Sequence, residues 1–158
     1  LQGMGVPRDA ALAGNALAVL AAMAANLVAG ALADRFGAGR VLALWSLLLG
    51  VAFWWFYREA QAGAYSQWHY AIAGSAVGVT AMIPAIALGG FPARVRFSGL
   101  SFSYNLAYAI AGGLTPVLLS AAMKGDPAAP MHYIAAMAVL GAALGAFVEW
   151  RDRRAAAA

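Results

Sequence analysis

Gly30-Ala-Leu-Ala-Asp-Arg-Phe-Gly-Ala-Gly-Arg40 separates two long apolar runs, and the fold turns on how this stretch is read. Asp34, Arg35 and Arg40 are the only charged residues between Asp9 and Arg58. A short charged stretch punctuated by glycine, set between two hydrophobic segments of bilayer length, predicts a tight turn joining two transmembrane helices. Gly37 supplies the backbone freedom for that turn, and Gly30 would let the end of the first helix pack closely against a neighbour.

The composition agrees with that reading. The 158 residues are 64% hydrophobic and only 10% charged, with a mean hydropathy of +0.75. A soluble domain carries about 25% charged residues, so this chain cannot cover a water-facing surface with charge. The expectation is an all-α membrane protein with five transmembrane helices. The absence of cysteine removes disulfides, thiolate metal sites and cysteine nucleophiles. The net charge of +4 is scattered over separate loops, which argues against a nucleic-acid partner. No metal site or cofactor motif is read.

Five apolar segments stand out, at about 10–33, 41–57, 68–91, 100–123 and 131–149. A spanning helix needs about 20 apolar residues; the second segment is short and must borrow flanking residues. The third carries Pro84 and ends at Gly89, Gly90 and Pro92, which predicts a proline kink. The charges are read as lying outside all five segments.

Five spans put alternate loops on opposite sides. Arg35, Arg40, Arg94, Arg96, Arg151, Arg153 and Arg154 share one side, and Arg8, Arg58 and Lys124 share the other. The positive-inside rule then predicts an inner-membrane, multi-pass protein with its C-terminus in the cytoplasm. The Arg-rich tail reads as an anchor on anionic headgroups.

The opening stretch, G-x-L-A-D-R-x-G-x-x-R, resembles the cytoplasmic loop signature of the major facilitator superfamily of transporters. A second stretch, Phe91-Pro-Ala-Arg-Val-Arg-Phe-Ser-Gly99 running into Tyr104-Asn105, is similar to the F-P-x-x-x-R-[YF]-[ST]-G … Y-N pattern of the metabolite:proton symporters within it. That branch includes carriers of proline and betaine, α-ketoglutarate, shikimate and citrate. Gly112-Gly-Leu-Thr-Pro116 resembles the G-G-x-x-P of their eleventh helix. One departure stands in the first loop, where Ala38 and Gly39 occupy places that usually carry basic residues. The resemblance implies that residues 1–158 are the C-terminal part of a twelve-helix protein, helices eight to twelve, with the N-terminal half of the same chain missing. The odd number of spans and the non-Met first residue point the same way.

The resemblance also implies proton-coupled secondary transport of a small organic acid or zwitterion, with a small-molecule substrate, protons and the lipid bilayer as partners. Gly30, Asp34, Arg35, Gly37 and Arg40 would form a conformational latch, with the partner of Asp34 in the missing half. Pro92, Arg94, Arg96 and Gly99 would form the second cytoplasmic loop. Proton-relay groups and charged substrate anchors would lie in the missing half.

Uncharged polar residues inside the spans are the candidates for a substrate pathway, because polar groups at membrane depth need partners or water. In the fourth span Ser101, Tyr104, Asn105, Tyr108, Gly112 and Thr115 fall on one helix face. Tyr104, Asn105, Tyr108 and Thr115 are the leading candidates, followed by Asn15; a helix–helix seam would use the same residue types. Asn15 and Asn26 share a face of the first span, and Asn26 reads as an interhelical hydrogen bonder. Gly74–Gly78 and Gly141–Gly145 predict close helix packing. His69 and His132 read as interfacial anchors beside Trp68, Tyr70 and Tyr133.

Two other classes fit parts of the sequence. An intramembrane serine protease could pair Ser101 with His132, but the predicted topology puts them at opposite membrane surfaces, so the chain is not read as an enzyme. A complete five-helix scaffold or assembly protein would suit the G-x-x-x-G pairs, yet it has no need of either loop motif.

Overall fold

A computed structural model describes residues 5–157. Leu1–Met4 and Ala158 lie outside the described residues. The elements are α1 (Arg8–Phe36), α2 (Ala38–Gln61), α3 (Gln67–Ser75), a 3-10 segment (Ala76–Ala81), α4 (Met82–Leu88), α5 (Arg96–Ala122) and α6 (Ala129–Ala156). The stretch from α3 through α4 counts as one rod, Gln67–Leu88, so five helices are long and apolar enough to cross a membrane. Helices satisfy their backbone groups internally, as a bilayer demands. The chain is an all-α, multi-pass membrane protein.

The helices are longer than the apolar segments that predict them. The second segment borrows Ala38–Arg40 before it and Arg58–Gln61 after it. Arg58 is accommodated by folding back over the Trp54 ring, 5.2 Å from its centroid, leaving its charge near the helix end. The last helix continues through the arginines to Ala156. One expectation fails here: Glu149, at the edge of the fifth segment, is a charge well inside α6.

The Gly30–Arg40 stretch is also tighter than a loop. α1 runs through Asp34 and Arg35 to Phe36, and α2 begins at Ala38, so the joint is Gly37 alone. Gly37 has φ +92°, where a side chain would be strained. Its N–H donates to Ala33 O at 2.9 Å, and its own carbonyl accepts from Val41 N at 3.2 Å.

The third span breaks upstream of the expected point. The irregular turn is the 3-10 segment Ala76–Ala81, while Pro84 sits inside α4. Proline at 84 cannot donate to the Thr80 carbonyl and its ring presses on it, so the disturbance falls one turn before the proline. A hydroxyl supports the backbone nearby: Ser75 Oγ donates to Ile72 O at 2.7 Å.

Small residues bring the helices together. A Cβ built on Gly145 would stand 2.6 Å from Gly39 O and 2.9 Å from Ala43 Cα, and one on Gly141 would stand 3.0 Å from Ser46 Cβ. These two positions seat α6 on α2. Gly74 does the same for α3 on α1, where an added Cβ would lie 2.8 Å from Ala18 Cα. Gly78 admits the Trp45 indole, whose Nε1 donates to Ser75 O at 3.3 Å. Ala29, Val41, Leu42 and Met82 form the buried core where α1, α2 and α4 meet. α5 stands apart, with no buried residue.

Candidate functional site

Two regions carry the chemistry: the end of the bundle that holds Gly37, and the polar face of α5. At the first, the close contact of Gly39 with Gly145 brings the start of α2 against the last third of α6. Arg40 Nε then reaches Glu149 Oε1 at 2.6 Å, and Arg153 Nε donates to the same oxygen at 2.7 Å. One carboxylate thus holds two guanidiniums, one across helices and one a turn further along its own. The glycine that departs from the family loop pattern, Gly39, is the residue that allows this approach: its added Cβ would stand 2.7 Å from Glu149 N.

The other latch candidates fall differently. Asp34 is exposed and makes no side-chain hydrogen bond or ion pair among the described residues. Arg35 lies over the neighbouring Phe36 ring, 5.4 Å from its centroid. Gly30 does not serve close packing within this chain, since nothing lies within 4 Å of its added Cβ. Sequence reasoning missed Glu149 because it is the last residue of an otherwise apolar segment; its spacing of four from Arg153 was the available signal.

The Phe91–Gly99 stretch forms the turn between α4 and α5, and its motif residues have visible work. The Phe91 ring lies on Gly99, where any Cβ would meet ring carbons at 2.6 and 2.7 Å. Arg96 Nε donates to Phe91 O at 3.3 Å, and Val95 N donates to Pro92 O at 3.0 Å. Arg94 is exposed. Phenylalanine, arginine and glycine at this spacing therefore fold the turn back on the first turn of α5.

On α5, the Tyr104 and Tyr108 rings stack with centroids 4.5 Å apart, so the two tyrosines do share a face. Asn105 Nδ2 donates to Ser101 O at 2.8 Å, which uses its amide donor on its own helix and leaves the oxygen to accept. Ser101, Tyr104 and Asn105, with Pro84 and Leu100, line a hollow of about 270 Å³ between α4 and α5. Further along, Tyr108, Gly112, Thr115 and Pro116 line a second of about 450 Å³ whose walls are almost wholly carbon. Thr115 Oγ1 and Tyr133 Oη, 3.2 Å apart, tie α5 to α6. The stripe is thus divided between two hollows.

Asn15 stands on α1, where its Oδ1 accepts from Tyr70 Oη at 3.1 Å. Asn26 Oδ1 accepts from Thr80 Oγ1 at 3.1 Å while its Nδ2 donates to Ala22 O at 2.9 Å, the interhelical role expected of it. Tyr70 and Tyr133 are the partners that sequence spacing could not supply, because they lie on other helices.

Each histidine has a neighbour, His132 at an exposed position and His69 at a half-buried one. His132 Nδ1 is 3.0 Å from Asp126 Oδ2, and Asp126 Oδ1 accepts from Ala128 N at 2.8 Å. His69 packs against the Trp55 ring with centroids 4.5 Å apart. Ser101 lies near the start of α5 and His132 near the start of α6, so about 30 Å of helix separates them. A nucleophile and its base need about 3 Å, and the protease arrangement does not form. Among the described residues no cluster of His, Cys, Asp or Glu has the makings of a metal site.

Five spanning helices with charged, glycine-bearing turns at one end define a multi-pass membrane protein. In an alignment 123 positions long that covers 72% of its length, the chain is 38% identical to the citrate-proton symporter of Klebsiella pneumoniae. The chain is homologous to part of that symporter, and its resemblance to the metabolite:proton symporters of the major facilitator superfamily stands on that homology. The match covers 27% of the symporter, so the chain spans about a quarter of the relative's length. No family model and no solved structure matches.

Proposed function

We propose that these residues are helices eight to twelve of a secondary transporter that moves a small organic acid or zwitterion together with protons. The observation that carries this reading is the 38% identity to a citrate-proton symporter over 123 residues. The two loop motifs, both at the Gly37 end of the bundle, support it. Transport would proceed by alternating access, two halves rocking about a site near the membrane midplane. α5 supplies one wall of the path through Tyr104, Asn105, Tyr108 and Thr115, and Asn15 adds a second hydrogen-bonding point. These groups are neutral, so they give shape and hydrogen bonds. The charged anchors and proton relay are assigned to the preceding half. Asp34, which has no partner among the described residues, pairs with that half to hold one state closed. The Gly37 end faces the cytoplasm of a cell membrane.

The test is uptake by cells expressing the full-length gene under an imposed inward proton gradient. Radiolabelled citrate should accumulate, and a protonophore should abolish the accumulation. No gradient-driven uptake of citrate, α-ketoglutarate, shikimate, proline or betaine would overturn the proposal.

A further inference from the structure

At the corner where α1 meets α2, an apolar groove of about 420 Å³ runs along both helices. Leu32 and Phe36 form one wall, and Leu44, Trp45 and Leu48 the other, with Arg40 at the end nearest Gly37. Leu48 lies about 12 Å along the helix from Arg40. The walls are almost entirely carbon, and a groove of this kind gains from any apolar chain laid in it. Its charged end has one guanidinium in the lining and a second beside the wall. Arg40 is one; its Nε is taken by Glu149, while its two Nη groups make no hydrogen bond among the described residues. Arg35 is the second, outside the lining but held over the ring of the wall residue Phe36.

We propose that this groove holds an anionic phospholipid, one acyl chain lying between α1 and α2 and the phosphate resting on Arg35 and Arg40. Charge complementarity selects this occupant. The Gly37 end of the bundle carries seven arginines against three acids, Asp34, Glu149 and Asp152. Glu149 and Asp152 are already held by arginines. A protein helix laid in the groove would cover the carbon walls but would leave the Nη groups of Arg40 facing its own apolar side chains. A phospholipid meets both ends of the site with one molecule, and a pocket between spanning helices with basic residues at its mouth is suited to such headgroups. The inference needs the chain to span a membrane and the groove to stay open beside the preceding half; it does not depend on what is transported.

Native mass spectrometry of the full-length protein in detergent tests it, with phosphatidylglycerol and phosphatidylcholine of identical acyl chains offered in turn. The wild-type protein should retain phosphatidylglycerol in preference to phosphatidylcholine. Arg35→Gln should reduce that preference about fivefold, the equivalent of about 1 kcal/mol for one arginine near a headgroup. Leu44→Trp, at a position 68% exposed and so free to take a larger side chain, fills the groove while both arginines remain. It should lose the retained lipid without losing thermal stability. Equal retention of both lipids by the wild type would overturn the proposal. So would an undiminished phosphatidylglycerol adduct in Leu44→Trp, or a wild-type dimer that carries no lipid, which would place a second copy in the groove.

Discussion

At the scale of the residue, the glycines separate into those that meet a neighbour in this chain and those that meet none. An added Cβ on Gly145 would collide with backbone, at Gly39 O and Ala43 Cα, and backbone cannot rotate out of the way. Gly145→Val should therefore destabilise the bundle by about 1–3 kcal/mol or more, read as a lower melting temperature in detergent. Gly30→Ala meets nothing and removes a helix-interior glycine, so stability should hold or rise by up to about 1 kcal/mol. If Gly30 packs against a preceding half, uptake by the full-length protein should fall all the same; unchanged uptake would remove that role. The sequence made the G-x-x-x-G glycines legible, because spacing four apart on one helix is sufficient to mark a packing face. It could not sort Gly30 from Gly145, because which neighbour arrives is decided by other helices.

At the scale of the element, α2 and α6 are held by a steric fit and a charge cluster that depend on one another. Arg40→Gln and Glu149→Gln should each lower the melting temperature. The double variant should cost less than the two single losses added together, since both remove the same ion pair. Additive losses would show that Arg40 and Glu149 act separately. α5 gives the opposite expectation. It buries no residue, and its ties are Thr115 to Tyr133 and the Phe91 turn packed on Gly99. Hydrogen exchange in detergent should be faster along α5 than along α2, because local opening there exposes little that was buried. Equal protection would show a packing for α5 that this bundle lacks. The positions of all five spans were legible from composition alone. Their ends were not, because a helix does not stop where apolar residues stop. Arg58, Arg153 and Arg154 continue the helical backbone while their heads reach outward. The break in the third span was misplaced by one turn for a similar reason: Pro84 marks the cause, and its effect falls on the carbonyl of Thr80.

At the scale of the molecule, α1 packs with α3, α2 packs with α6, and the core around Met82 joins the two pairs. The substrate-pathway candidates lie on α5, which packs little against the rest, and, for Asn15, on α1 opposite Tyr70 of α3. That is why the sequence could name a polar stripe without deciding its use: a cavity wall and a helix seam demand the same residues until the facing surface is known. Orientation can be measured directly, since the chain has no cysteine. A single cysteine at Ala157 should resist a membrane-impermeant maleimide added outside intact cells, and one at Ala64, between α2 and α3, should react. The reverse pattern would put the arginine-rich end outside.

The one-residue joint at Gly37 has a consequence for how the protein is made. With α1 ending at Phe36 and α2 beginning at Ala38, the chain has no slack in which to finish one helix before committing to the next. The two are coupled as one helical hairpin, and with the Gly37 end in the cytoplasm, as proposed, the tip of that hairpin does not cross the bilayer. Asp34, Arg35 and Arg40 are at that tip, so in that orientation these three charges need not pass through the hydrocarbon interior. Adding residues at position 37 would loosen that coupling and let the first helix settle in the membrane without the second.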